Sequence, residues 1–162
     1  MSFTMEKMDK MVMQYIDKCV LCWLATSNSA NEPNVSPKEI FTHEGERTLL
    51  IANIASLGSS RNIRENPKVC VSFVDVFVQK GFKIHGSARL IKRGDSGFDR
   101  KVNLLKSLLT TDFPIKSVIE VTVHRIEMIK APSYLLFPHI TEQDQIESAY
   151  LAYGVKAIDY FS

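Results

Sequence analysis

The segment Asn53-Ile54-Ala55-Ser56-Leu57-Gly58-Ser59-Ser60-Arg61-Asn62-Ile63 holds the densest set of residues suited to chemistry. Three serine hydroxyls, one glycine and one arginine converge where an apolar run ends and a helix is expected to open. Backbone N–H groups, hydroxyl donors, a helix dipole and a guanidinium fork together suit an anion. The same residues also read as an ordinary capped helix with Ser59 or Ser60 as N-cap. Two further clusters could meet the same ligand. Asn34-Val35-Ser36-Pro37-Lys38 puts a cation, Lys38, on a strand, and Gln79-Lys80-Gly81 puts polar donors in a turn. Taken singly, Lys38 and Lys80 read as solvated surface lysines. Their interest lies in convergence with the serine loop.

The remaining reactive residues point to no site. Cys19-Val20-Leu21-Cys22 has CxxC spacing, but a zinc site needs a second pair, which Cys70 alone does not supply. On a strand, residues three apart face opposite ways, so ordinary buried thiols are expected. His43, His85, His124 and His139 are scattered, and no metal site is expected. There is no GxSxG, no P-loop and no GxGxxG, so hydrolase-elbow, nucleotidase and dinucleotide-fold readings have no support.

The elements that must position these residues read mainly as strands. Met5, Met8, Met11, Val12, Tyr15 and Ile16 recur at helical spacing and predict an opening amphipathic helix. Strands are predicted over 19–26, 34–42, 48–52, 69–77, 82–91 and 118–129, with Val20, Leu21, Trp23 and Leu24 buried in the first. A short helix over 61–66 is stopped by Pro67. Phe98, Val102, Leu105, Leu108 and Leu109 give a helical face. Thr141 and Asp144 open a last helix, with Ile146, Ala149, Tyr150 and Tyr153 inside and Gly154 as its stop. Short polar turns and no βαβ alternation predict six antiparallel strands in a small closed or partly open barrel. The whole chain, 1–162, reads as one domain with helices at both ends.

Composition bounds the function. With 20 Lys and Arg against 18 Asp and Glu, the net charge is +2, which gives no footprint for nucleic acid. Hydrophobic residues at 45% fill a core without metal or disulfide staples. Three cysteines do not make a disulfide framework and argue for a reducing compartment. No leader or membrane-spanning run is visible, so a cytoplasmic protein is expected.

In their order along the chain, several segments resemble a known family. These are Pro33 to Lys38, Leu49 to Ser56, and Arg61 to Val69, with its Asn66-Pro67 step. Cys70 to Gly81 and Gly86 to Arg89 follow. Together they look like the pyridoxamine 5'-phosphate oxidase-related, FMN-binding split-barrel proteins, over about residues 19–129. The stretch through Thr141-Glu142-Gln143-Asp144 and Tyr153-Gly154-Val155 looks like one subgroup. The resemblance implies a six-stranded antiparallel, Greek-key split barrel that forms a homodimer, with FMN in clefts at the subunit interface. Carried over by position, it places Ser56, Ser59, Ser60, Arg61 and Asn62 by the flavin phosphate. It places Ser36, Pro37 and Lys38 along the ring or ribityl chain, and the backbone of Ala52, Asn53 and Ile54 along the ring edge. Gln79 and Lys80 would approach the phosphate or ribityl side.

The activity implied is FMN-dependent oxidation or reduction of a small molecule, in which the flavin needs no protein nucleophile. The alternatives are a non-enzymatic flavin-binding or redox-sensing protein, or a split-barrel module for haem or a deazaflavin. Two departures matter. Many relatives carry a lysine where this chain has Gly58; one lost charge-assisted contact of about 1.5–3 kcal/mol weakens binding roughly ten- to a hundredfold. The vitamin B6 oxidases proper also engage substrate through a C-terminal segment with Trp and Arg. Here the one tryptophan is Trp23, and residues 157–162 contain no arginine.

Overall fold

The computed structural model describes residues 4–109 and 113–157. Its elements run β1 (Thr4–Met5), α1 (Lys10–Lys18), β2 (Cys22–Ser27), β3 (Pro33–Lys38), β4 (Phe41–Glu44), β5 (Thr48–Asn53) and α2 (Leu57–Glu65). Then come β6 (Lys68–Asp75), β7 (Lys80–Lys92), α3 (Phe98–Lys106), β8 (Ser117–Lys130), α4 (Ser133–Leu136) and α5 (Glu142–Tyr153). The sheet order is β3-β2-β6-β7-β8-β5-β4, every pair antiparallel, with β1 added beside β8.

The predicted strand over 34–42 is two strands that lie at opposite ends of this order. β3 ends at Lys38 and β4 begins at Phe41, with Ile40 packed in the outer cluster beside α3 and Phe41 in the barrel core. The chain therefore turns at Glu39–Ile40, and the Ile40 carbonyl accepts from Ala52 N at 2.9 Å on β5. Only these two residues separate β3 from β4, so the two sheet edges are drawn together. The sheet curls into a barrel left split between β3 and β4. The count thus exceeds the expected six, through this split and the short β1.

Period-two burial explains the layering. On β5, Leu49 and Ile51 face the barrel core with Leu24, Phe73, Phe82 and Ile126. Leu50 and Ala52 face outward onto Phe98 and Leu105 of α3. Helix α1 is capped by Asp9, whose carboxylate accepts from Val12 N at 2.9 Å, and sends Val12 and Ile16 into the barrel core. Met5, expected in this helix, instead pairs with Ile126 in β1. Val20, Leu21 and Trp23 are exposed rather than buried, because Cys19–Leu21 is the linker out of α1 and Trp23 faces away from Leu24.

Two long strands carry the barrel wall. β7 and β8 pair along their whole length with a register shift at His85/Gly86. A Cβ at Gly86 would lie 2.2 Å from the Thr122 carbonyl oxygen, so only glycine allows this approach. At the C-terminal end, Thr141 and Asp144 form the predicted capping box, and Gly154 stops α5 in the left-handed conformation. Of its expected inner face, Ala149 is buried and Tyr153 is exposed. The expectation about residues 157–162 falls largely outside the described residues.

Candidate functional site

Helix α2 opens at Leu57, not Arg61, with Ser56 as N-cap and Asn66 ending it before Pro67. Ser59 and Ser60 are therefore inside the first turns and buried, not caps. Asn53, the last residue of β5, organises this junction. Its side-chain amide donates to Ser60 Oγ at 2.8 Å and Ser117 Oγ at 2.9 Å, and its Oδ1 accepts from Ser56 N at 3.3 Å. On the other side, Asn62 donates to Thr26 Oγ1 at 3.0 Å, while Asn34 reaches Thr26 at 3.3 Å and Ser59 at 3.5 Å. These neutral bonds pin α2 against β2 and β3.

The Ser56 hydroxyl makes no helix-capping bond. It accepts from Lys38 Nζ, which also donates to Ser36 Oγ at 2.9 Å. Lys38 ends β3 opposite Cys22, a fully buried residue, so the register turns it inward. It is 6% exposed, and no carboxylate pairs with it among the described residues. Burial holds its ammonium below the usual lysine range, against a weaker pull from the Cys22 thiol. Lys101 is the contrast. It is equally buried but bridges Glu44 at 2.6 Å and Glu120 at 2.7 Å; burial disfavours its charge, and these carboxylates more than restore it, raising its pKa.

Lys38 lines a cavity of about 200 Å³ with Pro37, Glu39, Ile40, Ala52, Ile54, Ala55, Ser56 and Phe113. Of the expected ligand-binding residues, Pro37, Lys38, Ala52, Ile54 and Ser56 meet here, with Ser36 bonded to Lys38 and Asn53 beneath the loop. Arg61 and Asn62 line a separate polar cavity of about 500 Å³ with Asn34, Gly58, Glu32 and Glu65. Lys80 lies in a third, of about 190 Å³, paired to Glu142 at 2.6 Å and 4.3 Å from the Tyr134 ring centre. Gln79 closes the β6–β7 turn, its N–H donating to the Asp75 carbonyl at 2.7 Å. Sequence reasoning missed Glu39, Ile40, Ala55 and Phe113. Ile40 carries a signal in its apolar neighbour Phe41; Phe113, sixty residues from the loop, carries none. Cys19 and Cys22 are free thiols, pushed by burial up to about 11 and about 12. No three of His, Cys, Asp and Glu cluster as metal ligands among the described residues, and no helix there is long and apolar enough to cross a membrane.

A split antiparallel barrel with a serine-lined helix start beside its open edge defines the class. The chain belongs to the pyridoxamine 5'-phosphate oxidase family, whose model matches residues 8–130. Among solved structures it is similar to HupZ of Group A Streptococcus, at 21% identity and TM-score 0.62, over 74% of this chain and 91% of that one. It is similar to an FMN-binding protein of Syntrophomonas wolfei, at 17% identity and TM-score 0.63, over 74% and 84%. It is also similar to an F420 reductase, at 19% identity and TM-score 0.56, over 74% and 98%. These likenesses show the fold. No curated protein matches.

Proposed function

We propose that this protein binds FMN at the Lys38 cleft and is an FMN-dependent oxidoreductase acting on a small molecule. The observation that carries this reading is Lys38 itself, a buried ammonium with hydroxyl partners and no carboxylate. A buried charge left so is stabilised by an anionic ligand. The residues present fit a flavin. Pro37, Ala52 and Ile54 offer a flat apolar wall, and Lys38, Ser36 and Ser56 offer charge and hydrogen bonds to its polar edge. Bound FMN would supply the hydride chemistry. The chain would bind it, orient its ring and exclude water.

The reading includes a homodimer. A cavity of about 200 Å³ is smaller than the roughly 300–1,000 Å³ of ordinary ligand pockets, so one chain offers part of a cleft. Val20, Trp23 and Val76 are exposed around a further, largely apolar cavity of about 640 Å³. Such a patch marks a contact surface. Gln79 and Lys80, which do not reach the Lys38 cleft in their own chain, are candidates to complete it from a second copy. Gly58, in place of the relatives' lysine, favours a second reading, in which the cleft takes a deazaflavin or haem.

The test is a visible spectrum of the protein purified without added cofactor, repeated after FMN addition and desalting. About one flavin per chain supports the reading. Protein that refuses FMN but takes up a deazaflavin or haem overturns it in favour of the second. Light scattering tests the dimer, and the mass of one chain would refute it.

A further inference from the structure

We propose that Lys38 is a nucleophilic amine that condenses with a small carbonyl compound carrying a carboxylate. The inference goes beyond the flavin reading and does not rest on it. Lys7, Lys18 and Lys80 each pair with a carboxylate, at 2.7, 2.5 and 2.6 Å. Lys101, equally buried, sits between two. Such partners lock an ammonium in its charged form, which has no lone pair to attack with. Lys38 is held differently. Ser36 and Ser56 fix its Nζ at the wall of a cavity without neutralising its charge. The apolar surroundings favour the neutral amine and hold its pKa below the usual value.

The cavity bounds the partner. Its roughly 200 Å³ suit a molecule of a few heavy atoms. In the condensation the Nζ–C bond forms and the carbonyl C–O bond breaks. The oxygen leaves as water, taking the two protons that the ammonium gives up. Nothing is oxidised or reduced. The protonated imine keeps one positive charge; Glu39 also lines the cavity, but no carboxylate of the described residues pairs with Lys38. A carboxylate on the carbonyl compound supplies the missing counter-charge, which selects an oxo acid over a neutral aldehyde.

The experiment treats flavin-free protein with limiting glyoxylate and cyanoborohydride near neutral pH, then maps the alkylated lysines by peptide mass spectrometry. Lys38 is expected to carry most of the label, several times more than Lys7, Lys18 or Lys80, and to lose that lead when acetaldehyde replaces glyoxylate. Label spread over exposed lysines, or an unlabelled Lys38, overturns the proposal. The comparison is made within the native protein, so it needs no variant to fold. It is made without flavin, so its failure leaves the flavin reading standing.

Discussion

Replacing Lys38 with methionine separates binding from stability, because the two effects have opposite signs. Methionine nearly matches the lysine stem in length and carries no charge to desolvate. In the wild type that charge is 6% exposed and answered only by Ser36 and Ser56. Burying an ammonium costs several kcal/mol, of which two hydroxyl acceptors return part. Lys38→Met therefore raises stability by about 1 kcal/mol, or roughly 2–4 °C in Tm for a chain of this size. The same change removes one charge-assisted contact to a bound anion, about 1.5–3 kcal/mol, and weakens FMN roughly ten- to a hundredfold. Flavin fluorescence quenching measures the second effect and calorimetry of flavin-free protein the first. The pH dependence has a definite sign. A lysine with a depressed folded pKa costs stability while charged, so the wild type gains stability as pH rises from that value towards 10.5. Lys38→Met abolishes this gain. Unchanged FMN affinity in the variant would remove Lys38 from the site, and a lower Tm would refute the energetic argument.

Lys101→Met has the opposite consequence, leaving Glu44 and Glu120 without their shared cation; a loss of about 3–5 kcal/mol is expected in urea denaturation. Burial opposes ionisation of Glu44, Glu120 and Asp75, but ion-paired lysines and arginines and the Phe77 and Val78 N–H groups bring all three pKa values below the ordinary ones. Their contribution is complete above pH ~4.5 and lost as pH falls through the lowered values, so the urea midpoint should fall steeply there. Gly58→Lys meets open space at an early helical position; it should tighten FMN about tenfold, and an unchanged Kd would separate Gly58 from the phosphate site. Gly86→Ala drives a Cβ onto the Thr122 carbonyl and should cost about 1–3 kcal/mol or more in thermal unfolding.

What the sequence made legible is what neighbours along the chain decide. The Thr141/Asp144 box and the Gly154 stop are complete within α5, and they stand as expected. The alternation that predicts the β7 and β8 segments belongs to single strands. What failed depends on partners far along the chain. Nothing within 34–42 says that its halves join opposite edges of a sheet. Ser56, Ser59 and Ser60 are equally good caps in isolation. Asn53 and Asn34, reaching from two different strands, draw Ser60 and Ser59 inward and leave Ser56 at the N-cap position, its hydroxyl turned to Lys38. The serine loop and Lys38 were legible as a pair by residue type. Their separation from Arg61 was not, because it follows from the side of α2 on which each residue falls.

Lys38 and Lys101 show why burial is the informative quantity. Lys38 alone reads as surface, and both lysines are driven inward by packing that their own neighbours do not announce. The fold answers Lys101 within the chain, with two carboxylates from β4 and β8. It answers Lys38 with two hydroxyls, which accept hydrogen bonds but cancel no charge. A cation satisfied internally tends to be structural; one left short of an anion at the wall of an open cavity is a place for a ligand to supply it. An anionic flavin and an anionic carbonyl compound both meet that need, one by contact and the other by a bond. They therefore compete for Lys38, and saturating FMN should suppress its labelling by glyoxylate while leaving that of Lys7 and Lys18 unchanged.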